Sequence, residues 1–312
     1  MGRVVLFTLG GTIAMAAATD PVNPQLSGKD LVAQIPGAPE VLIRDIAAKP
    51  AGWLSFDEIA LLAKEIRQSN ADGYVVSMGT DTLEEVAFLL DLWHDGDKPV
   101  VVTGAMRHPQ LAGPDGPANL LAALQVAGSP AAAGRGVLAV LNDEIHAARW
   151  VRKGHTSSPA AFSSPGAGPV GVMAEGVPLF HSGPSRRQHV NLPVREAKVG
   201  LIVATLSSDG GELTAYQMDG LVVAGFGVGH VPKSWIDPLT ELSQRMPVVL
   251  ASRTGAGPVL NATYAFPGSE SDLRERGLIG AGQLDPFKAR VMLWALLAAG
   301  ATSETIAATF TG

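Results

Sequence analysis

Three stretches of the chain carry side chains that can attack a substrate or move its protons. Leu9-Gly10-Gly11-Thr12-Ile13-Ala14 sets a threonine hydroxyl directly after a glycine pair. Met78-Gly79-Thr80-Asp81-Thr82 sets a second hydroxyl beside a carboxylate, and Lys153 ends a basic run over residues 149–153. A threonine hydroxyl is a weak nucleophile until a base takes its proton. A lysine amine can do so only in its neutral form, which burial favours and a neighbouring carboxylate opposes. Each stretch also has a plainer reading. A glycine pair and threonine after a strand make an ordinary turn, Thr or Asp before a helix is commonly a cap, and Arg and Lys are commonly solvated.

Other chemistries are less well served. Gly10-Gly11 lacks the third glycine of a dinucleotide loop, and no P-loop Lys-Ser or Lys-Thr follows it. Cys is absent, which removes disulfides and thiolate metal sites; His146 and His155 lie nine apart, and the seven His show no metal-ligand spacing. A formal net charge of -6 without a basic stripe argues against nucleic acid or an anionic membrane as partner. A small molecule is the expected partner. The short apolar run at the N-terminus is broken by Gly10-Gly11 and barely preceded by charge, so it does not read as a secretion signal. Leu6 occupies the Ser or Thr position of a myristoylation motif. A cytoplasmic location is expected.

The elements that must hold these groups follow from the apolar pattern. With 312 residues, 46% of them hydrophobic and 17% charged, the chain suits two packed α/β domains. Residues 4–9, 73–78, 99–104 and 136–141 read as buried strands, and Thr12 and Thr80 fall just beyond the carboxyl ends of two of them. Open α/β sheets bind ligands there. Ser55 to Glu58 and Thr82 to Glu85 have capping-box form, each opening an apolar helical face. If Thr82 caps its helix, Thr80 and Asp81 are left for other work. Residues 19–24 form a breaker-rich stretch that reads as a lid, and residues 154–171 as a long loop. Strands are expected again at 199–206, 220–226 and 247–252, with a helix opened by Asp285 and Pro286. The expected organisation is a larger N-terminal α/β domain over residues 1–185, with a mostly parallel sheet and flanking helices. A linker over 186–198 and a smaller α/β C-terminal domain over 199–312 follow.

Together the Thr12 and Thr80 stretches resemble the two signature motifs of the bacterial-type L-asparaginase family. The resemblance continues through Thr103-Gly104-Ala105-Met106-Arg107, Asp115-Gly116-Pro117-Ala118-Asn119-Leu120 and Asn142-Asp143-Glu144, and reaches Lys288-Ala289-Arg290. It implies an amidohydrolase that releases ammonia from L-asparagine, and in some members from L-glutamine, without metal or cofactor. It also implies dimers or tetramers in which a neighbour's C-terminal domain completes each site. By motif match Thr12 is the nucleophile, and Thr80, Asp81 and Lys153 are the hydroxyl, carboxylate and amine of a proton-handling cluster. Gly11, Gly79 and Ala105 line the substrate, with backbone N–H groups near Gly11 and Gly79 as oxyanion donors. Glu270, supplied by the neighbour, meets the α-amino group, and His230 stands where the family often has Asn.

The chain also departs from the pattern. Residues 15–28 contain no aromatic where the family commonly has a tyrosine, and Thr19 offers a hydroxyl in that stretch. Ala51 stands where a serine holds the α-carboxylate, and Met78 replaces a polar residue before Gly79. These changes keep open an amidase of the same fold for another small amide, imide or lactam. A non-catalytic amino-acid sensor is the remaining alternative, against which the intact threonine, aspartate and lysine set counts.

Overall fold

In the computed structural model the described residues are 2–14, 26–185, 187–213 and 217–311. The expected lid over residues 19–24, and Thr19 with it, lies outside them. The chain divides into two compact units, Met1–His189 and Val190–Gly312.

The first unit is built on an eight-stranded sheet. Its strands are β1 (Val4–Gly10), β2 (Val41–Lys49), β3 (Gly73–Ser77), β4 (Val100–Thr103), β5 (Val137–Leu141) and β6 (Glu144–Ala147). A two-stranded ribbon, β7 (Arg152–Lys153) and β8 (Phe162–Ser163), intervenes before β9 (Gly171–Ala174) and β10 (Val177–Phe180). The spatial order β10-β9-β6-β5-β4-β3-β1-β2 places β1 and β3 side by side. Pairing is parallel from β2 through β5 and antiparallel from β5 through β10. Strands β1, β3, β4 and β5 are buried at every residue, which is why each reads as an unbroken apolar run. Helices α1 (Gly28–Ala33), α2 (Phe56–Gln68), α3 (Leu83–Trp93) and α4 (Gly116–Ala127) belong to this unit.

Helix α2 has the capping box expected at Ser55 and Glu58, and buries Ile59, Leu62, Ala63 and Ile66. The second expected box does not form. Thr82 is the N-cap of α3, but its φ and ψ of -122° and 15° are not the extended conformation that turns a capping side chain inward. Its hydroxyl instead donates to the Ala51 carbonyl at 3.1 Å. The expected loop over 154–171 is also interrupted, because β8 pairs with the strand that carries Lys153.

The second unit holds a parallel sheet, β11 (Val199–Val203), β12 (Gly220–Gly225), β13 (Val248–Ser252) and β14 (Ile279–Gly280), in that order. Its helices are α5 (Ile236–Ser243), α6 (Glu270–Glu275), α7 (Pro286–Ala298) and α8 (Ser303–Thr311). Asp285 caps α7 through the N–H groups of Phe287 and Lys288, with Pro286 in the first turn, as its sequence signature requires. β11 stops at Val203, short of the expected residue 206, and Leu206 is exposed. Among the described residues no helix is long and apolar enough to cross a membrane.

Candidate active site

Glycines bring the two threonine loops together. β1 ends at Gly10 and passes through Gly11, with φ of 92° and 84°, into a 3-10 turn that starts at the partly exposed Thr12. Such φ values are open to glycine and strained for other residues. A Cβ on Gly11 would lie 2.1 Å from the Gly79 nitrogen and 2.2 Å from its Cα, so the residues preceding Thr12 and Thr80 are in backbone contact. A Cβ on Gly79 would meet Ala51 at 2.9 Å, and one on Gly104 would meet the Met78 carbonyl at 2.5 Å and Thr80 Cγ2 at 3.2 Å. Absence of side chains at Gly11, Gly79 and Gly104 thus lets the carboxyl ends of β1, β3 and β4 converge.

Lys153 reaches this convergence from the short ribbon. Its Nζ donates to Thr80 Oγ1 at 2.9 Å and lies 3.0 Å from Asp81 Oδ1. Thr80 is buried, the Lys153 side chain is 17% exposed and that of Asp81 is 72% exposed, so the cluster has one dry end and one wet end. A carboxylate in water and a hydroxyl in the protein then share one amine, an arrangement able to pass a proton between a buried reacting group and solvent. The backbone N–H of Lys153 donates to Glu84 Oε2 at 3.0 Å. Glu84 is a buried carboxylate on the first turn of α3. The sequence assigns Glu84 no role; the one signal for it is its place four residues after Thr80, at the start of α3.

Around the cluster the other sequence-marked residues have clear places. Ala105 is buried, and Asn119 Nδ2 donates to the Gly104 carbonyl just before it at 3.0 Å while Asn119 Oδ1 accepts from Asn142 N–H. This ties the end of β4 to α4 and to the end of β5. Ala51 and Met78 are both buried, so neither position presents a polar side chain. Ser55 is occupied as a helix cap.

His230 and Glu270 form a cluster of their own in the second unit. Glu270 is fully buried at the start of α6, and its Oε1 accepts from the N–H groups of Thr263 and Tyr264 at 2.9 and 2.8 Å. Its Oε2 is 3.2 Å from His230 Nε2. Burial alone would raise the Glu270 pKa, but those N–H donors and His230 outweigh it and hold the carboxyl below its ordinary value. Tyr264 and Phe266 bracket the His230 ring edge-to-face at 5.0 and 4.9 Å, fixing the imidazole against the carboxylate.

Comparison with known proteins shows the family of the chain. The family described as Asparaginase, N-terminal, matches residues 3–186, and Glutaminase/Asparaginase C-terminal domain matches residues 198–310. The chain belongs to the bacterial-type L-asparaginase family. Within that family it is 38% identical to a probable L-asparaginase of Deinococcus radiodurans, over 99% of this chain and 97% of the relative. It is 32% identical to an L-asparaginase of Bacillus licheniformis over 95% of each. A crystal structure of a probable cytoplasmic L-asparaginase from Campylobacter jejuni superposes with a TM-score of 0.88 at 30% identity, covering 100% of this chain and 99% of that one. The chain therefore has the asparaginase fold, with an α/β N-terminal unit and a separate parallel-sheet C-terminal one.

Proposed function

We propose that this chain hydrolyses L-asparagine to L-aspartate and ammonia, with Thr12 as nucleophile. The observation that carries the reading is the Thr80–Lys153–Asp81 cluster, one backbone contact away from the loop of Thr12. Thr12 Oγ1 attacks the side-chain amide carbon and gives up its proton toward Lys153 and Thr80. Backbone N–H groups at the glycine loops stabilise the oxyanion. The C–N bond then breaks, the nitrogen leaves with that proton as ammonia, and an acyl-threonine ester remains. Water adds to the ester, the new carboxylate departs, and a proton returns to Thr12 Oγ1. The residues do this without a metal or cofactor.

Gly11, Gly79 and Ala105 line the substrate, and Asp81 meets its α-amino group together with the partner subunit's Glu270. His230 steadies that glutamate. This reading calls for a homodimer or homotetramer with sites shared between subunits. It also takes residues 1–185 and 199–312 as the two domains, 186–198 as the linker, and the cytoplasm as the location, in keeping with the relative of known structure described as a probable cytoplasmic L-asparaginase.

A second reading is an amidase of the same mechanism for another small amide, imide or lactam. The apolar side chains at Ala51 and Met78 favour it, because neither can hold an α-carboxylate. Ammonia release by the purified protein and by Thr12→Ala, from L-asparagine, D-asparagine, L-glutamine and simple amides, separates the two. Turnover of L-asparagine that vanishes in the variant supports the first reading. Thr12-dependent turnover of a different amide alone supports the second, and no turnover of any refutes both.

A further inference from the structure

The first unit has a second charged recess, at the opposite end of its parallel strands. The glycine loops follow the carboxyl ends of β1 and β3, whereas this recess opens at Val137, the amino end of the parallel strand β5. It spans about 370 Å³ including space open to solvent, and its lining includes Phe88, Asp91, Arg135, Arg149, Arg187 and Gln188. Among its lining residues the three arginines face a single carboxylate, which leaves two positive charges in excess.

Two of these arginines brace the fold through their hydrogen bonds and the third does not. Arg187 is a brace: its guanidinium donates to the carbonyls of His94 at 2.9 Å and Gly96 at 3.5 Å, and to Asp91 Oδ1 at 3.4 Å. Gly136 makes room for it, since a Cβ there would lie 2.4 Å from Arg187 Cδ and 2.3 Å from Asp91 Oδ1. Asp91 Oδ1 also accepts from Val137 N–H at 2.9 Å. Arg135 donates to the carbonyls of Ala131 and Ser182 and stacks on Phe180 at the rim.

Arg149 differs from both. A guanidinium has five N–H donors in a planar fork, and among the described residues that of Arg149 makes one hydrogen bond, from NH1 to Gln188 Oε1 at 3.0 Å, while lying 5.4 Å from the Trp150 ring. It is partly buried, and burial pushes its pKa down against the opposing charge of Asp91. A desolvated cation with unused donors gains most from an added anion.

We propose that this recess is a second, non-catalytic site for a small dianion, a dicarboxylate or a phosphate-type oxyanion, gripped by the fork of Arg149 with Arg187 and Arg135 around it. The ligand would sit beside Asp91 on α3, the helix whose opposite end follows Thr80 and Asp81. The inference stands independently of which amide the catalytic site prefers.

Titration calorimetry of the full-length protein with inorganic phosphate and, separately, with succinate tests it. Two variants probe the recess: Gln188→Glu, which keeps every arginine and adds a negative charge beside Arg149, and Arg149→Gln, which removes the fork. Lys153→Met controls for binding at the catalytic cluster, and circular dichroism checks that each variant is folded. The expected result is binding of at least one anion by the wild type and by Lys153→Met, weakened about tenfold or more in both recess variants. Phosphate alone binding in this way makes the ligand an oxyanion, and succinate alone makes it a dicarboxylate. Absence of heat with both anions, equal affinity in wild type and folded recess variants, or loss of binding in Lys153→Met instead, overturns the proposal.

Discussion

An alanine methyl at Gly11 has no space to occupy. It would lie 2.1 Å from the Gly79 nitrogen, on a residue whose φ is already 84°. Relief requires the two threonine loops to part, and a displacement of about 1 Å at a reacting group costs on the order of 10²-fold in rate. Gly11→Ala should therefore lower kcat for ammonia release by about that factor. Gly52→Ala is the matched control, because a Cβ there meets nothing within 4 Å; its kcat should stay within roughly twofold. Equal losses in both variants would show that the Gly11–Gly79 contact is not what matters. Lys153→Met takes the amine away from Thr80 and Asp81, and on the proposed mechanism kcat should fall about 10²- to 10⁴-fold. The Asp81 side of that pair is largely in water, so its loss should cost at most about 1 kcal/mol in a urea unfolding experiment. A large loss of stability with little loss of rate would make Lys153 structural.

Element by element, the lysine depends on a ribbon that cannot hold itself. β7 and β8 have two residues each, and strands so short need support from outside. Glu84 supplies it from α3 by accepting the Lys153 backbone N–H. Glu84→Ala should lower kcat roughly tenfold, consistent with a displaced proton carrier, with KM little changed, and Glu84→Gln, which keeps an acceptor oxygen, should recover most of it. Equal kcat in Glu84→Ala and the wild type would remove Glu84 from this role. Such a link also marks where sequence reading stops. β1, β3, α2 and the start of α7 were legible because each carries its own signal: an unbroken buried run, a capping box, or an Asp-Pro start. β2 was not, since its exposed Leu42 and Ile46 and its Arg44 and Asp45 break both the run and the alternation expected of a strand. The Thr82 cap failed for a tertiary reason, the carbonyl of Ala51 lying 31 residues away. Thr12, Thr80, Asp81 and Lys153 could be picked out by type and motif order. What sequence could not give was the 2.9 Å bond joining Thr80 to a lysine 73 residues later, or the pairing of His230 with Glu270 across 40 residues.

For the whole molecule, the two units carry buried ionisable groups that respond to acid in different ranges. In the first unit His146 is fully buried on β6, with Nδ1 2.9 Å from Ser164 Oγ and Nε2 3.3 Å from Glu144. Burial pushes its pKa below the ordinary value of about 6.5 against the pull of Glu144, and burial likewise lowers that of His94. An unfolded chain then binds more protons than the folded one as pH drops below about 6.5, so stability falls with acidification, by at most about 1.4 kcal/mol per pH unit for each histidine. Asp91 works in the opposite sense: burial raises its pKa, so its share of stability is present below its ordinary value and lost as pH rises through the folded one. Glu270 in the second unit has its pKa lowered, so its contribution is present above the ordinary carboxylate range and lost only as pH falls through the folded value. Between pH 7.5 and 5.5 the first unit should thus loosen before the second. Hydrogen exchange should find the β6 amides losing protection over that interval while those of α6 keep theirs. His146→Gln leaves Asp91 and His94 in place and should flatten the pH dependence at β6. Loss of protection in step at both elements, or an unchanged pH dependence in His146→Gln, would move the acid-sensitive group away from His146.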